Sequence, residues 1–179
     1  MQSLLIVGAG GFGRAVAEAA QATGHFKIAG FVDDRWPELG EVGAIPVLGK
    51  LADLPALRDV AEAAIAAIGD NQRRSAAIEQ LKAAGFSLAQ IVHPAASISA
   101  SAVIEKGTII LAGAIIGTGA RLGEGSIVNA GAVLDHDCLV GRFARVSVGA
   151  CMAGGAVLGH GAWLREGCSL SAGQQVKAE

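Results

Sequence analysis

From Val92 to Val176 an apolar side chain returns at every sixth residue through fourteen successive intervals without a slip. The series is Val92, Ile98, Ile104, Ile110, Ile116, Leu122, Val128, Leu134, Val140, Val146, Met152, Leu158, Leu164, Leu170 and Val176. Four residues after each stands something small, from Ala96, Ala102 and Thr108 through Ala162 and Cys168, until Gln174 ends the set. A period of six is neither the 3.6 of a helix nor the alternation of an ordinary strand, and unbroken repetition of a short unit marks a solenoid. Three units, about 18 residues, make one triangular coil whose sides are short parallel strands stacked on the coil below. The large residue fills the prism and the small one lets the chain turn inside it. The spacing therefore predicts a parallel β-helix of hexapeptide repeats over residues 92–179.

The first 91 residues follow a different pattern. Ser3 to Gly8 reads as a strand entering Gly8-Ala9-Gly10-Gly11-Phe12-Gly13, Arg14 to Thr23 as a helix, and Lys27 to Val32 as a second strand ending at Asp33-Asp34. Arg35 to Gly49 reads as irregular apart from an extended Ile45–Leu48, and Leu51 to Val60 as a weak helix. Ala63 to Ile68 is a third apolar run, closed by Gly69-Asp70-Asn71, where Asp or Asn would cap a helix from Gln72 to Ala84. Strands alternating with helices imply a small parallel α/β sheet. Gly8, Gly10 and Gly13 fit G-x-G-x-x-G between strand and helix, with Asp33 twenty residues beyond, where a ribose-binding carboxylate belongs. Only one mononucleotide-binding half precedes the solenoid, so a nucleotide-linked ligand fits better than NAD. Bare N–H groups at a helix N-terminus can hold its phosphates, with Asp34 and the Gly69-Asp70-Asn71 turn at the same sheet edge. Arg73 and Arg74 read as solvated helix residues.

Composition narrows the function classes. A net charge of −2 over 179 residues, with no basic run, argues against nucleic acid or anionic lipid as partner. No apolar run approaches a membrane span, and Leu4-Leu5-Ile6-Val7 is too short for a signal peptide. Cys138, Cys151 and Cys168 lack metal-ligand spacing and read as core thiols of a cytoplasmic protein, with no metal expected.

An ionisable side chain at an outward corner is what would give such a prism chemistry. His136 lies two residues after the inward Leu134, between Asp135 and Asp137. Stacking coil on coil places Thr118 below it and Gly154 above, with Gly119 and Gly155 bracketing Asp137. The histidine is expected to face open space on its upper side. His160, in a column with Glu124 and Arg142, reads as part of a solvated charge ladder, His93 as a cap, and His25 as a loop residue.

The glycine loop, Asp33-Asp34, Ala67-Ile68-Gly69-Asp70-Asn71 and the segment Asn129 to Cys138, continuing through Gly141, Phe143 and Val146-Ser147-Val148-Gly149-Ala150, resemble a bacterial family over nearly the whole chain. It is the sugar O- and N-acetyltransferases, which include sialic acid O-acetyltransferases and enzymes acetylating nucleotide-linked 4-amino-4,6-dideoxy sugars. The resemblance implies a half-Rossmann-like domain over 1–91 that binds a nucleotide sugar, and a left-handed β-helix over 92–179 that transfers acetyl groups. It implies His136 as general base assisted by Asp137. It also implies substrate contacts at Gly8, Gly10, Gly11, Gly13, Asp33, Asp34, Gly69, Asp70, Asn71 and Asn129. Acetyl-CoA would bind between coils near Gly149, Ala150, Gly154 and Gly155, in a cytoplasmic homotrimer. Arg145 stands where relatives often carry a second histidine, and relatives usually continue for another coil or two. The alternatives are O-acetylation by the same base, a catalytically silent nucleotide-binding scaffold, and an NAD-dependent oxidoreductase resting on the glycine motif and Asp33.

Overall fold

The computed structural model describes residues 1–177, which form two compact units, Met1–Ala89 and the chain from Gln90 onward.

In the first unit β1 (Gln2–Val7) leads through the glycine turn into α1 (Gly11–Ala22), and β2 (Phe26–Val32) returns parallel to β1. A short antiparallel pair follows, β3 (Glu41–Val42) with β4 (Ile45–Pro46). Nothing in the sequence marks β3. Its turn needs positive φ at Gly43 and at Ala44 (+56° and +62°), and a two-residue strand offers no alternation to detect. The expected weak helix is a 3₁₀ segment, Leu51–Leu57, followed by β5 (Ala63–Ala66), α2 (Asn71–Ala83) and β6 (Ser87–Leu88). The parallel sheet has the order β2-β1-β5-β6. The chain therefore leaves β1 first to one side and then to the other. That reversal opens a crevice at the carboxyl ends of β1, β2 and β5, where open α/β sheets bind ligands. Asp70 caps α2 as expected, its Oδ1 accepting the Arg73 N–H at 2.8 Å.

In the second unit two-residue strands run from β7 (Ile91–Val92) to β21 (Gln175–Val176) and form three five-stranded parallel sheets. Each strand pairs with its equivalent on the neighbouring coil, as in Val133↔Cys151 and Leu139↔Val157. This is the left-handed hexapeptide β-helix. The every-sixth series and the small residues line one continuous core. Thr108 and Ser126 are buried with it. Of the three cysteines only Cys138 is a core thiol. Its Sγ donates to the Ala153 carbonyl at 3.3 Å, and burial pushes the thiol up. Cys151 is exposed because it precedes inward-facing Met152 and so points outward. Cys168 occupies an inward slot, but it precedes β20 (Ser169–Leu170), which among the described residues pairs on one side only, with the strand Cys151–Met152. No helix among the described residues is long and apolar enough to cross a membrane.

Candidate active site

The glycine turn closes β1 onto α1, and its four glycines divide into two kinds. A side chain on Gly8, at φ +103°, would stand 2.7 Å from the Ala67 carbonyl oxygen, and one on Gly13 would strike the Gly8 carbonyl. These two glycines allow close packing of strand, helix and turn. Gly10 and Gly11 meet nothing nearer than 4.0 Å, so packing does not require them to be bare. They border a cleft of about 420 Å³ lined also by Val32–Arg35, Ile68, Gly69 and Arg73. Gly10 is the N-cap of α1 and supplies no side-chain cap. The N–H groups of the first turn are therefore available to an anion, with the helix dipole behind them.

Asp33 stands at this cleft, but its carboxylate is already engaged. Oδ1 accepts from the Arg35 backbone N–H (3.1 Å) and Nε (2.7 Å), and Oδ2 from the Ala9 N–H (2.9 Å) and Arg35 Nη2 (2.9 Å). The bidentate Arg35 contact, more than any other cause, holds the acid far below the ordinary carboxylate range. A ligand hydroxyl reaching Asp33 must displace Arg35, whose side chain is 59% exposed and able to swing. Asp34 Oδ1 accepts from the Leu51 N–H at 3.1 Å. Asn71 and Gly69 are drawn to Arg74, which is fully buried and not a solvated helix residue. Nothing in an isolated Arg-Arg pair distinguishes the pocket-lining Arg73 from the buried Arg74.

On the β-helix, His136 occupies the corner between β14 (Val133–Leu134) and β15 (Leu139–Val140). Its backbone is pinned in register: the Asp137 N–H donates to Thr118 O (2.8 Å), and the Gly155 N–H donates to His136 O (2.9 Å). Asp137 adopts φ +57° and lays its carboxylate over Gly119, where a Cβ would meet Oδ1 at 2.5 Å. The imidazole does not face open space above. It lies across Gly154, whose missing side chain leaves the room that the ring fills; an added Cβ would stand 2.6 Å from Cε1. Nδ1 is 3.0 Å from Asp137 Oδ2, and Nε2 is 4.0 Å from Asp135 Oδ2. A proton on Nδ1 donates to Asp137 and leaves the Nε2 lone pair as the basic site. The Asp137 hydrogen bond, and next the Asp135 charge, raise the histidine's pKa. Asp135 is the acidic neighbour that sequence reasoning does not single out, although it is visible beside His136.

The remaining residues are placed as follows. Gly149 and Gly155, both at positive φ, present bare backbone with nothing within 4 Å of a would-be side chain. Ala150 lies inside the prism, its N–H bonded to Ser147 O and its carbonyl to the Val133 N–H, so it offers no group to a ligand. Asn129 is buried, its Oδ1 accepting from the Ala130 N–H at 2.8 Å. Arg145 lies over the Trp163 ring, 4.7 Å from the centroid. His160 packs edge-on against Phe143, while Arg142 pairs with Glu124 at 2.8 Å. The His93 ring accepts the Ala95 N–H at 3.0 Å.

Residues 3–81 match the family model of the PglD N-terminal domain, and residues 101–136 that of the bacterial transferase hexapeptide, six repeats. No curated protein sequence gave a significant match. Among solved structures, the chain is similar to the acetyltransferase domain of PglB from Neisseria gonorrhoeae in complex with acetyl coenzyme A. Identity is 35% and the TM-score 0.93, with 99% of this chain and 85% of that one covered. It is similar as well to PerB from Caulobacter crescentus in complex with CoA and GDP-perosamine, at 32% identity and TM-score 0.92, covering 99% and 84%. A histidine-to-alanine mutant of GDP-perosamine N-acetyl transferase from the same organism matches at 29% identity and TM-score 0.84, covering 98% and 91%.

Proposed function

Because the chain belongs to the family of hexapeptide-repeat sugar acetyltransferases, we propose that it transfers the acetyl group of acetyl-CoA to the amino group of a nucleotide-linked 4-amino-4,6-dideoxy sugar, with His136 as general base. The observation that carries this reading is the histidine itself. Nδ1 faces Asp137, Nε2 is the basic atom, and the ring is seated on Gly154.

A protonated amine has no lone pair to attack with, so the acceptor attacks as the neutral amine, and the nitrogen sheds one proton once the C–N bond has formed. The amine nitrogen attacks the thioester carbonyl, the C–N bond forms, and Nε2 accepts the amine proton. Collapse of the tetrahedral intermediate breaks the C–S bond, and the imidazolium returns the proton to the departing sulfur. Asp137 fixes the tautomer, and Asp135, on the Nε2 side, stabilises the imidazolium. No acyl-enzyme is needed, and buried Cys138, with its thiol pKa raised, does not supply one. The open backbone at Gly149 and Gly155, on the coil above His136, leaves room for acetyl-CoA to lie against the prism. In the first unit, Gly10, Gly11 and the first turn of α1 would hold the diphosphate, and Asp33, Asp34 and the Gly69-Asp70-Asn71 turn would face the nucleoside. The perosamine N-acetyl transferase likeness favours an amine over a hydroxyl acceptor.

The proposed assembly is a homotrimer. Val103 and Ile115 (46% exposed each) and Leu139 (41%) set apolar side chains on the outer faces of the prism, where a second copy would cover them. The reading is tested by following CoA thiol release with GDP-, UDP- and dTDP-linked amino sugars against the corresponding hydroxy sugars. Release with an amino sugar and formation of an amide support it; release only with hydroxy sugars would replace it with O-acetylation.

A further inference from the structure

We infer that Arg74 is a positioning residue for nucleotide binding, clamping the Ile68–Asn71 turn so that its carbonyls face away from an anionic ligand; the inference rests on the nucleotide-sugar reading above. Arg74 lies on the same face of α2 as Ala77, Ile78 and Leu81, all fully buried. Arginine there is 0% exposed, in a position where the helix's spacing calls for an apolar side chain. Burying a guanidinium costs more than burying a hydrocarbon of similar size, and only the hydrogen bonds it makes offset that cost. The reason for an arginine at this position therefore lies in the acceptors it holds.

What the guanidinium does is specific. Nη1 donates to the Ile68 carbonyl at 2.9 Å and the Gly69 carbonyl at 3.2 Å, and Nη2 donates to Asn71 Oδ1 at 2.7 Å. Its planar fork thus ties three acceptors of one turn, which a lysine cannot reproduce. That turn is a wall of the cleft: Ile68 and Gly69 line it, and Ala67 abuts Gly8 of the glycine loop. Carbonyl oxygens pointing into the cleft would repel a diphosphate held across it at the glycine loop. Those of Ile68 and Gly69 are instead committed to Arg74 on the helix side, and the buried positive charge behind them adds attraction that solvent screens poorly.

The test compares Arg74→Met, Arg74→Lys and Asn71→Ala with wild type, using calorimetric binding of GDP and UDP and separate KM values for nucleotide sugar and acetyl-CoA. Folding is verified by circular dichroism. Arg74→Met is expected to weaken nucleoside diphosphate binding tenfold or more and to raise the nucleotide-sugar KM in step. Its acetyl-CoA KM and its kcat at saturation should stay within about twofold. Arg74→Lys should recover part of the loss. Asn71→Ala should weaken binding in the same direction, and Arg74→Lys, which leaves every residue facing the ligand in place, is the deciding variant if Arg74→Met fails to fold: wild-type affinity in folded Arg74→Lys overturns the inference. Unchanged nucleotide affinity in a folded variant overturns the inference. So does a parallel fall in kcat and in both affinities, which would mark a purely structural role. If wild type binds no nucleoside diphosphate, the nucleotide-sugar reading fails first and this inference fails with it.

Discussion

Gly154→Ala separates the position of the ring proposed as general base from its chemistry. Unlike Gly155, at φ +69°, Gly154 is not in the left-handed region, so alanine meets no backbone strain there. The new methyl would stand 2.6 Å from His136 Cε1. Non-bonded carbons settle about 3.5–4.0 Å apart, so the imidazole must retreat by about 1 Å. The ring is exposed and can make that move without disturbing the core. A misplacement of about 1 Å costs on the order of 10²-fold in rate, equivalent to about 2.7 kcal/mol of barrier. Thiol release with both substrates saturating should therefore show kcat lowered about 10²-fold, with the melting temperature and nucleotide-sugar KM near wild type. If Gly154 serves mainly to admit acetyl-CoA, the acetyl-CoA KM will rise while kcat holds. A variant with wild-type kcat would refute the claim that the ring seated on Gly154 is the reactive pose.

Three further outcomes are expected. As the proposed base His136 must be neutral, and its raised pKa should place the acid limb of kcat/KM above the ordinary histidine value of 6.5; Asp137→Asn, which removes the largest cause of that rise, should move the limb to lower pH in a pH–rate profile. Asp33 is depressed, so its ion pair stabilises the fold above the ordinary carboxylate value of 3.8 and is lost as pH falls toward the folded value. Asp33→Asn should thus lower Tm at neutral pH, weaken GDP or UDP binding by calorimetry, and differ progressively less from wild type in Tm below that pH. Light scattering should give a mass near three times that of one chain, whereas a fully active monomer would rule out the homotrimer as the working form.

The β-helix is legible because each prism side carries one large and one small inward residue at fixed spacing, so two columns of sequence report the core. That spacing also sets the neighbours of the candidate corner: stacking coil on coil brings Thr118, Gly119, Gly154 and Gly155 around His136 and Asp137, and the backbone hydrogen bonds join Thr118 to Asp137 and Gly155 to His136. What stacking cannot supply is a rotamer, so the space above His136 reads as open although the ring fills it. The glycine loop is legible as a motif, but not the division between tightly packed Gly8 and Gly13 and open Gly10 and Gly11, which depends in part on Ala67, distant in sequence. Arg74 is misread from sequence because helical arginines are usually solvated, and two of its acceptors are backbone carbonyls that leave no mark in composition. Asp33 looks like a free acceptor for the same reason: its engagement by Arg35 and the Ala9 N–H becomes visible only in three dimensions.

The most direct test of the account is acetyl transfer by His136→Ala, measured as kcat with saturating acetyl-CoA and nucleotide-linked amino sugar. Loss of a general base predicts a fall of roughly 10² to 10⁴ with nucleotide binding and oligomeric mass unchanged; a folded variant that turns over at the wild-type rate would contradict it.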